Sequence, residues 1–280
     1  TGTTAIVHCG GIFCRKFSPF CYLSATAEKS FGYFPQRNHS PNVGSKLKKM
    51  NKLKGGVLVI GSLLWDKTKI REDWRNDYLD IKKVIDVKIP IRYGRLSSKR
   101  SSIYTMVFST DCNNTKNLGN GKFVPFKENP VTFKELNTQC TELIKAEHKK
   151  DKLDFTRFNW SWGTVAIMLN PKTLLENFEN SESIKHFTQE WNKKIGAGFK
   201  VGDYKVGEEK AILNNKAFLN FSWPNSLDDY DFFITTSNKS GLPKYPEPNE
   251  IAEKFNENGA EYFYENISNN ITTFQDQQIK

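Results

Sequence analysis

The chain has 280 residues, of which 38% are hydrophobic and 13% aromatic, and its formal net charge is +10. This aromatic content excludes a chain that is disordered throughout, and no apolar run in the sequence is long enough to span a membrane. We therefore expect a soluble, cytoplasmic protein with one sizeable hydrophobic core.

The positive charge is concentrated in residues 1–49, which hold seven basic residues and one acidic residue. The other 34 basic and 30 acidic residues leave the rest of the chain close to neutral. A fold with so small an excess of positive charge has no strong attraction for phosphate backbones, so we do not expect nucleic acid as a partner. Binding of nucleic acid through the basic segment alone is a third interpretation of function.

Residues 1–49 are also rich in Ser, Thr, Asn, Gly and Pro, and no period is sustained in them. Met50 then precedes the first predicted strand, as an amino-terminal methionine would. We expect residues 1–49 to be a disordered leader or a segment translated from upstream in frame. A cleavable presequence with a transit role is the alternative. Residues 50–280 are predicted to be a single domain.

The first predicted element of this domain is a strand that contains the apolar run Val57–Ile60. Such a run is typical of a strand buried on both faces. After Asp66 the spacing of apolar residues becomes helical. The alternating segments Val84–Arg92 and Ile103–Ser109 then predict a hairpin, with Pro90 at an edge or a bulge.

Residues 113–129 have the composition of a loop, and Gly119 and Gly121 are interpreted as turn residues. An amphipathic helix is predicted over Phe133–Lys149, as a helical insertion near residues 130–150. The later predicted elements are strands at Trp160–Leu169, Ala217–Trp223 and Tyr230–Thr236 and helices at Ser183–Lys194 and Asn249–Phe255. This irregular alternation favours an α+β fold, with a mixed, mostly antiparallel sheet or a small barrel and peripheral helices.

The end of the first strand is a candidate binding site. The apolar run stops at Gly61-Ser62, where the strand is expected to leave several backbone N–H groups for other partners. A glycine lets another group approach closely because it has no Cβ atom. These donors suit a carboxylate or a developing oxyanion, and a turn that serves packing alone is the alternative.

Gly61-Ser62-Leu63 resembles the Tyr-Gly-Ser-Leu signature of the γ-glutamylcyclotransferase-like family. Three further segments are similar to motifs of that family and follow in the same order. They are Gly163–Asn170, then Gln189-Glu190-Trp191 followed by Gly196–Phe199, and finally Ser240-Gly241-Leu242-Pro243 with Tyr245. The resemblance covers roughly residues 55–245 and implies a γ-glutamylcyclotransferase-like fold for the domain.

The resemblance implies an enzyme that cyclises a γ-glutamyl compound to 5-oxoproline and releases an amine. The α-amine of the substrate attacks its own γ-carbonyl carbon, so both reacting groups belong to one molecule. The protein supplies a base, an acid and donors for the carbonyl oxygen. The expected partner is a small-molecule γ-glutamyl substrate, and the reaction needs no metal and no cofactor.

The resemblance also implies that Glu190 is the catalytic base and acid. The residues implied to hold the substrate are Ile60, Gly61, Ser62, Leu63, Leu64 and Tyr245. On a helix, Glu190 lies beside an apolar stripe that contains Phe187 and Trp191, so we expect partial desolvation to raise its pKa. The alternative is a solvated glutamate paired with Lys194 at i+4.

The chain departs from the family pattern at three positions. Ile60 and Phe199 each stand where the family has a tyrosine, and Trp191 stands where a glycine is common. Because two phenolic donors are lost, a non-catalytic small-molecule-binding or scaffold protein on the same fold is the alternative function.

Other chemistries have little support in the sequence. Cys9, Cys14 and Cys21 lack a further ligand at the spacing of a zinc site, and Cys140 fits the core face of a helix. The four histidines are scattered, and neither a nucleophilic triad nor a phosphate-binding fingerprint is recognisable.

Overall fold

The computed structural model describes residues 53–98, 102–113, 116–130, 132–152, 156–172 and 181–279, with side chains from residue 186 onward in the last range. All of them belong to one structural unit that covers Lys49–Lys280. The predictions made for residues 1–49 lie outside the described residues.

The strands of the described residues form a curled sheet and a separate pair. They are β1 (Gly55–Val59), β2 (Ile85–Ile89), β3 (Ile91–Ser97), β4 (Ile103–Phe108), β5 (Gly119–Pro125), β6 (Asn159–Trp160), β7 (Gly163–Leu169) and β8 (Phe232–Asn238). The six-stranded sheet has the order β2-β5-β1-β8-β7-β6, and β3 pairs with β4. β1 runs parallel to β8, and the other neighbours are antiparallel. The predicted mixed, mostly antiparallel sheet is confirmed.

The helices lie around this sheet. In the described residues they are α1 (Lys69–Tyr78), α2 (Phe133–His148), α3 (Ser181–Ile195), α4 (Pro248–Asn258), α5 (Glu261–Ser268) and α6 (Asp276–Ile279). The fold is therefore α+β with peripheral helices, as predicted. None of the described helices combines the length and the apolar composition that crossing a membrane requires.

Strand β1 is buried on both faces because its side chains alternate between two hydrophobic cores. Val57 and Val59 belong to the core that includes residues of α2 and α3, which we call the first core. Leu58 and Ile60 belong to the second core, which includes residues of β3, β4, α4 and α5. All four side chains are at most 7% exposed, which confirms the prediction for Val57–Ile60.

Helix α2 begins where its sequence provides a cap. The Thr132 hydroxyl accepts a hydrogen bond from the N–H of Glu135 at 3.3 Å, and the Glu135 carboxylate accepts one from the N–H of Thr132 at 2.8 Å. This capping box satisfies donors that the first turn of a helix leaves unpaired. Cys140, on the inner face of the helix, is fully buried in the first core, as predicted.

Strand β5 lies inside the sheet, between β2 and β1, so the prediction of a loop and of turn glycines is wrong there. The two glycines allow neighbouring chains to approach more closely than a Cβ atom permits. A Cβ atom on Gly121 would lie 2.5 Å from the Ile89 side chain, and one on Gly119 would lie 2.5 Å from the carbonyl oxygen of Thr272. Close packing explains a composition that otherwise indicates a turn.

Pro90 divides the segment that was predicted as a single strand. β2, before it, pairs with β5, and β3, after it, pairs with β4. Proline has no N–H to donate, so it interrupts a ladder of hydrogen bonds. The strand predicted at Ala217–Trp223 is also wrong, because only isolated bridges form there, at Phe218 and Leu219.

Candidate functional site

The predicted substrate-binding segment, Ile60–Leu64, forms a turn directly after β1. The N–H of Leu64 donates to the carbonyl oxygen of Gly61 at 3.2 Å. Two arginines of α1 bind the same turn: Arg71 donates to Ser62 Oγ at 2.8 Å, and Arg75 donates to the carbonyl oxygen of Leu63 at 2.7 Å. Of the groups that the prediction assigned to a substrate, the Ser62 hydroxyl is therefore bound by a cation of the protein itself.

Arg71 is the centre of a buried ionic cluster that joins this turn to the end of α2. Its side chain is 4% exposed and lies 3.0 Å from Asp66 Oδ2. It also donates to the carbonyl oxygen of Ala146 at 2.9 Å. Lys149 approaches Asp66 from the protein surface, at 2.6 Å.

Asp66 stays ionised in this cluster. Burial by itself raises the pKa of the carboxyl group, but the hydrogen bonds from Lys149 and Thr68 and the charge of Arg71 outweigh burial and hold the pKa far below its usual range. A carboxylate that is held in this way is a structural anchor.

The space beside Gly61 is occupied by Tyr262, a buried residue of α5. A Cβ atom on Gly61 would lie 2.7 Å from the phenolic oxygen of Tyr262. The same oxygen accepts a hydrogen bond from the N–H of Met106 at 3.4 Å. This close approach of a side chain explains why the residue is a glycine. The explanation corresponds to the alternative interpretation, in which the turn serves packing alone.

Glu190 lies on α3 and is paired with a lysine in solvent. Its side chain is 31% exposed and lies 2.5 Å from the ammonium of Lys193, at i+3. The partner expected from the sequence was Lys194, at i+4. The hydrogen bond from Lys193 lowers the pKa of Glu190, so the expected rise is wrong. The physical reason is the helical rotation of about 100° per residue, which turns Glu190 outward when Trp191 points inward.

Trp191 belongs to the first core, where it is fully buried. Its indole N–H donates to the carbonyl oxygen of Lys216 at 2.8 Å. Its ring packs against Phe158, with the ring centres 5.3 Å apart. Of the predicted substrate turn, Leu63 belongs to the same first core as Trp191, whereas Ile60 belongs to the second core.

Tyr245, the remaining predicted residue, lies in a polar cluster that the sequence did not indicate. Its phenol donates to Glu209 Oε1, and the guanidinium of Arg92 lies 4.0 Å from the centre of its ring. Burial, and next the hydrogen bond to Glu209, raise the pKa of Tyr245 far above its usual range. The phenol therefore stays protonated and acts as a donor.

The Glu209 carboxylate accepts three more hydrogen bonds. Val206 N–H donates to Oε1 at 2.8 Å. Oε2 accepts from Ser109 Oγ at 2.8 Å and from the N–H of Asp111 at 3.3 Å. Thr110 Oγ1 lies 3.3 Å from the same oxygen, but its single proton is donated to the carbonyl oxygen of Lys210 at 2.6 Å. Glu209 thus joins the end of β4, its own loop and the segment that contains Tyr245.

An open groove with a volume of about 570 Å³ lies beside Glu209. Its polar walls include Thr110, Asp111, Asn113, Glu209, Lys210, Asn220 and Ser222, and the ring of Phe221 completes the lining. Phe221 is anchored by the second core, because its ring stacks on Phe108 with a centre-to-centre distance of 6.2 Å. The groove therefore combines one fixed apolar surface with polar walls.

The polar groups of the groove fall into two sets. Both carboxylates are engaged: Asp111 lies 2.5 Å from Arg92, and Glu209 binds the donors given above. The groups that make no hydrogen bond to any described residue are the ammonium of Lys210, the amides of Asn113 and Asn220, and the hydroxyl of Ser222. All four can donate, so the available groups suit an acceptor such as a carboxylate.

Sequence reasoning missed this groove because its walls come from distant segments. Ser109 and Glu209, which are hydrogen-bonded, are 100 positions apart. The only local indication is the charged run Glu208-Glu209-Lys210 after Gly207, which resembles an ordinary solvated turn. Tyr245 was predicted as a substrate-binding residue, but its phenol donates to Glu209 and it is not one of the residues that line the groove.

Comparison with known proteins adds no family to this description. Searches of family models, of curated proteins and of solved structures found no significant match for the chain. Within the part of the chain that the structure describes, no group of three or more His, Cys, Asp or Glu side chains is placed to hold a metal ion.

Proposed function

We propose that the chain is a small-molecule-binding protein and that its groove takes a ligand with a carboxylate group. The observation that carries the proposal is the division of the polar groups: both acids are engaged by other groups of the protein, whereas Lys210, Asn113, Asn220 and Ser222 have donors to offer. A cation with amide and hydroxyl donors around it is suited to a carboxylate.

The dimensions and the apolar surface narrow the ligand further. A groove of about 570 Å³ lies within the range of small-molecule sites. Phe221 offers a ring face to an aliphatic chain, and the flanking amides pair with a peptide-like group. A γ-glutamyl compound, which the sequence resemblance implies as the substrate class, has a carboxylate, an aliphatic chain and an amide.

The test is isothermal titration of the full chain with γ-glutamyl amino acids, γ-glutamylamines and glutathione. Removing the charge by Lys210→Met is expected to weaken binding about tenfold to a hundredfold, since a charge-assisted hydrogen bond contributes about 1.5–3 kcal/mol. Lys216→Met is the matched control, because Lys216 is exposed and does not line the groove. The proposal fails if no compound binds, or if Lys210→Met binds as tightly as wild type.

A second candidate is the cyclisation of a γ-glutamyl compound to 5-oxoproline with Glu190 as the base. It is supported by the buried strand that ends in the Gly61-Ser62 turn, which fits the sequence resemblance. The assay is release of 5-oxoproline from the same compounds. Glu190→Gln is expected to reduce turnover by about 10²–10⁴-fold, whereas Glu253→Gln, on the surface of α4, leaves it unchanged. Turnover that is absent in wild type, or unchanged in Glu190→Gln, excludes this candidate.

A further inference from the structure

Glu209 connects three parts of the chain that form or support the groove. Thr110 and Asp111 follow β4 and form one wall of the groove, and the hydroxyl of Ser109 and the N–H of Asp111 donate to Oε2. Val206 and Tyr245 donate to Oε1, so the loop of Glu209 and the segment after β8 meet at the same carboxylate.

Only a carboxylate can accept this set of hydrogen bonds. An ionised carboxyl group has two oxygens and about four lone-pair positions, and it donates nothing. A glutamine at this position would turn an NH₂ group toward the donors of one side, so that either the Ser109 side or the Tyr245 side would lose its acceptor. Glu209→Gln therefore keeps the shape of the side chain but no longer connects the Ser109 side to the Tyr245 side.

The loop that Glu209 holds also carries Lys210. The carbonyl oxygen of Lys210 accepts a hydrogen bond from Thr110 Oγ1 at 2.6 Å, next to the bonds of Glu209. The backbone of Lys210 is thus fixed against the opposite wall, while its ammonium makes no hydrogen bond to a described residue.

We infer that Glu209 is the positioning residue of the groove: its carboxylate fixes the distance between the wall at Thr110–Asp111 and the loop that presents Lys210. The inference rests on the proposed function, because it assigns Glu209 a role in the site that takes the carboxylate ligand. Glu209 acts through Lys210 and the two walls.

The experiment compares Glu209→Gln with Glu208→Gln in the full chain. Glu208 is the adjacent, exposed glutamate and makes no hydrogen bond to a described residue, so it is a matched control. Hydrogen–deuterium exchange is measured over residues 109–111 and 205–210, and binding of γ-glutamylglycine is measured by titration. In Glu209→Gln we expect exchange to rise at least tenfold at the N–H group that faces the new NH₂ group, which is that of Val206 or that of Asp111, and affinity to fall at least tenfold.

Tyr245→Phe is the second variant, which removes one donor and leaves the carboxylate. It is expected to raise exchange over residues 109–111 and 205–210 less than Glu209→Gln does. Unchanged exchange in Glu209→Gln overturns the inference, and so does raised exchange with unchanged affinity. If wild type does not bind γ-glutamylglycine, the proposed function loses this ligand, and the exchange data alone then decide whether Glu209 holds the walls together.

Discussion

Replacing Asp66 by asparagine removes one charge from the buried ionic cluster behind the Gly61 turn. The side chains of Arg71 and Asp66 are 4% and 10% exposed, so the variant leaves a buried guanidinium without its closest carboxylate. Breaking a buried pair in this way typically costs about 3–5 kcal/mol. Glu147 lies 3.9 Å from the same guanidinium and compensates in part, so the expected loss is about 3 kcal/mol.

The measurement is thermal unfolding followed by circular dichroism at pH 7. For a domain of this size, about 3 kcal/mol corresponds to a decrease in melting temperature of about 6–12 °C. Asp73→Asn is the matched control, because Asp73 forms an exposed i,i+4 pair with Lys69 and its loss is expected to leave the melting temperature close to that of wild type. A decrease below about 2 °C in Asp66→Asn, or an equal decrease in both variants, would refute the reasoning.

The same cluster predicts how stability depends on pH. The pKa of Asp66 is lower in the folded chain than in the unfolded chain, where it is about 3.9. Its contribution to stability is therefore complete above about pH 4 to 5 and is lost as the pH falls toward the lowered pKa of the folded state. The difference in stability between wild type and Asp66→Asn should narrow over this acid range, and a constant difference would contradict the assignment.

Two further predictions concern residues that the sequence associated with catalysis. Gly61→Ala places a Cβ atom 2.7 Å from the phenolic oxygen of Tyr262, so it should destabilise the fold by about 1–3 kcal/mol in urea unfolding. The added change Tyr262→Phe should recover part of this loss. Trp191→Phe should lower the free energy of unfolding by about 1–3 kcal/mol in the same assay, because it leaves a cavity in the first core and removes the hydrogen bond to the carbonyl oxygen of Lys216. A decrease below about 0.5 kcal/mol would show that the indole is not needed there.

The parts of the fold that the sequence predicted are those with a strong local pattern. The run Val57–Ile60 indicated a strand buried on both faces. Helix α2 begins at the predicted residue and ends one residue before the predicted end. β5 was missed because Gly119 and Gly121 have the composition of a turn, whereas their role depends on neighbours that only the assembled sheet supplies. Such contacts leave no periodic signal in the chain.

The candidate site was less predictable than the fold, for a related reason. The pKa of Glu190 was expected to rise because Phe187 and Trp191 are close in sequence, but helical rotation directs Glu190 to Lys193 and solvent. Glu209 gave no signal because the donors that identify it lie mostly far along the chain, at Ser109 and Tyr245 among others. A sequence shows which groups are available, and the tertiary fold decides which of them meet.

The location of the ligand is the central claim, and amide chemical-shift mapping tests it most directly. A deuterated, ¹⁵N-labelled chain is titrated with γ-glutamylglycine, and the perturbed amides are assigned. We predict that the largest changes occur at Asn113, Lys210, Asn220 and Phe221, around the groove. Changes confined to the Gly61–Leu64 turn, or none at a saturating concentration of the compound, would contradict this account.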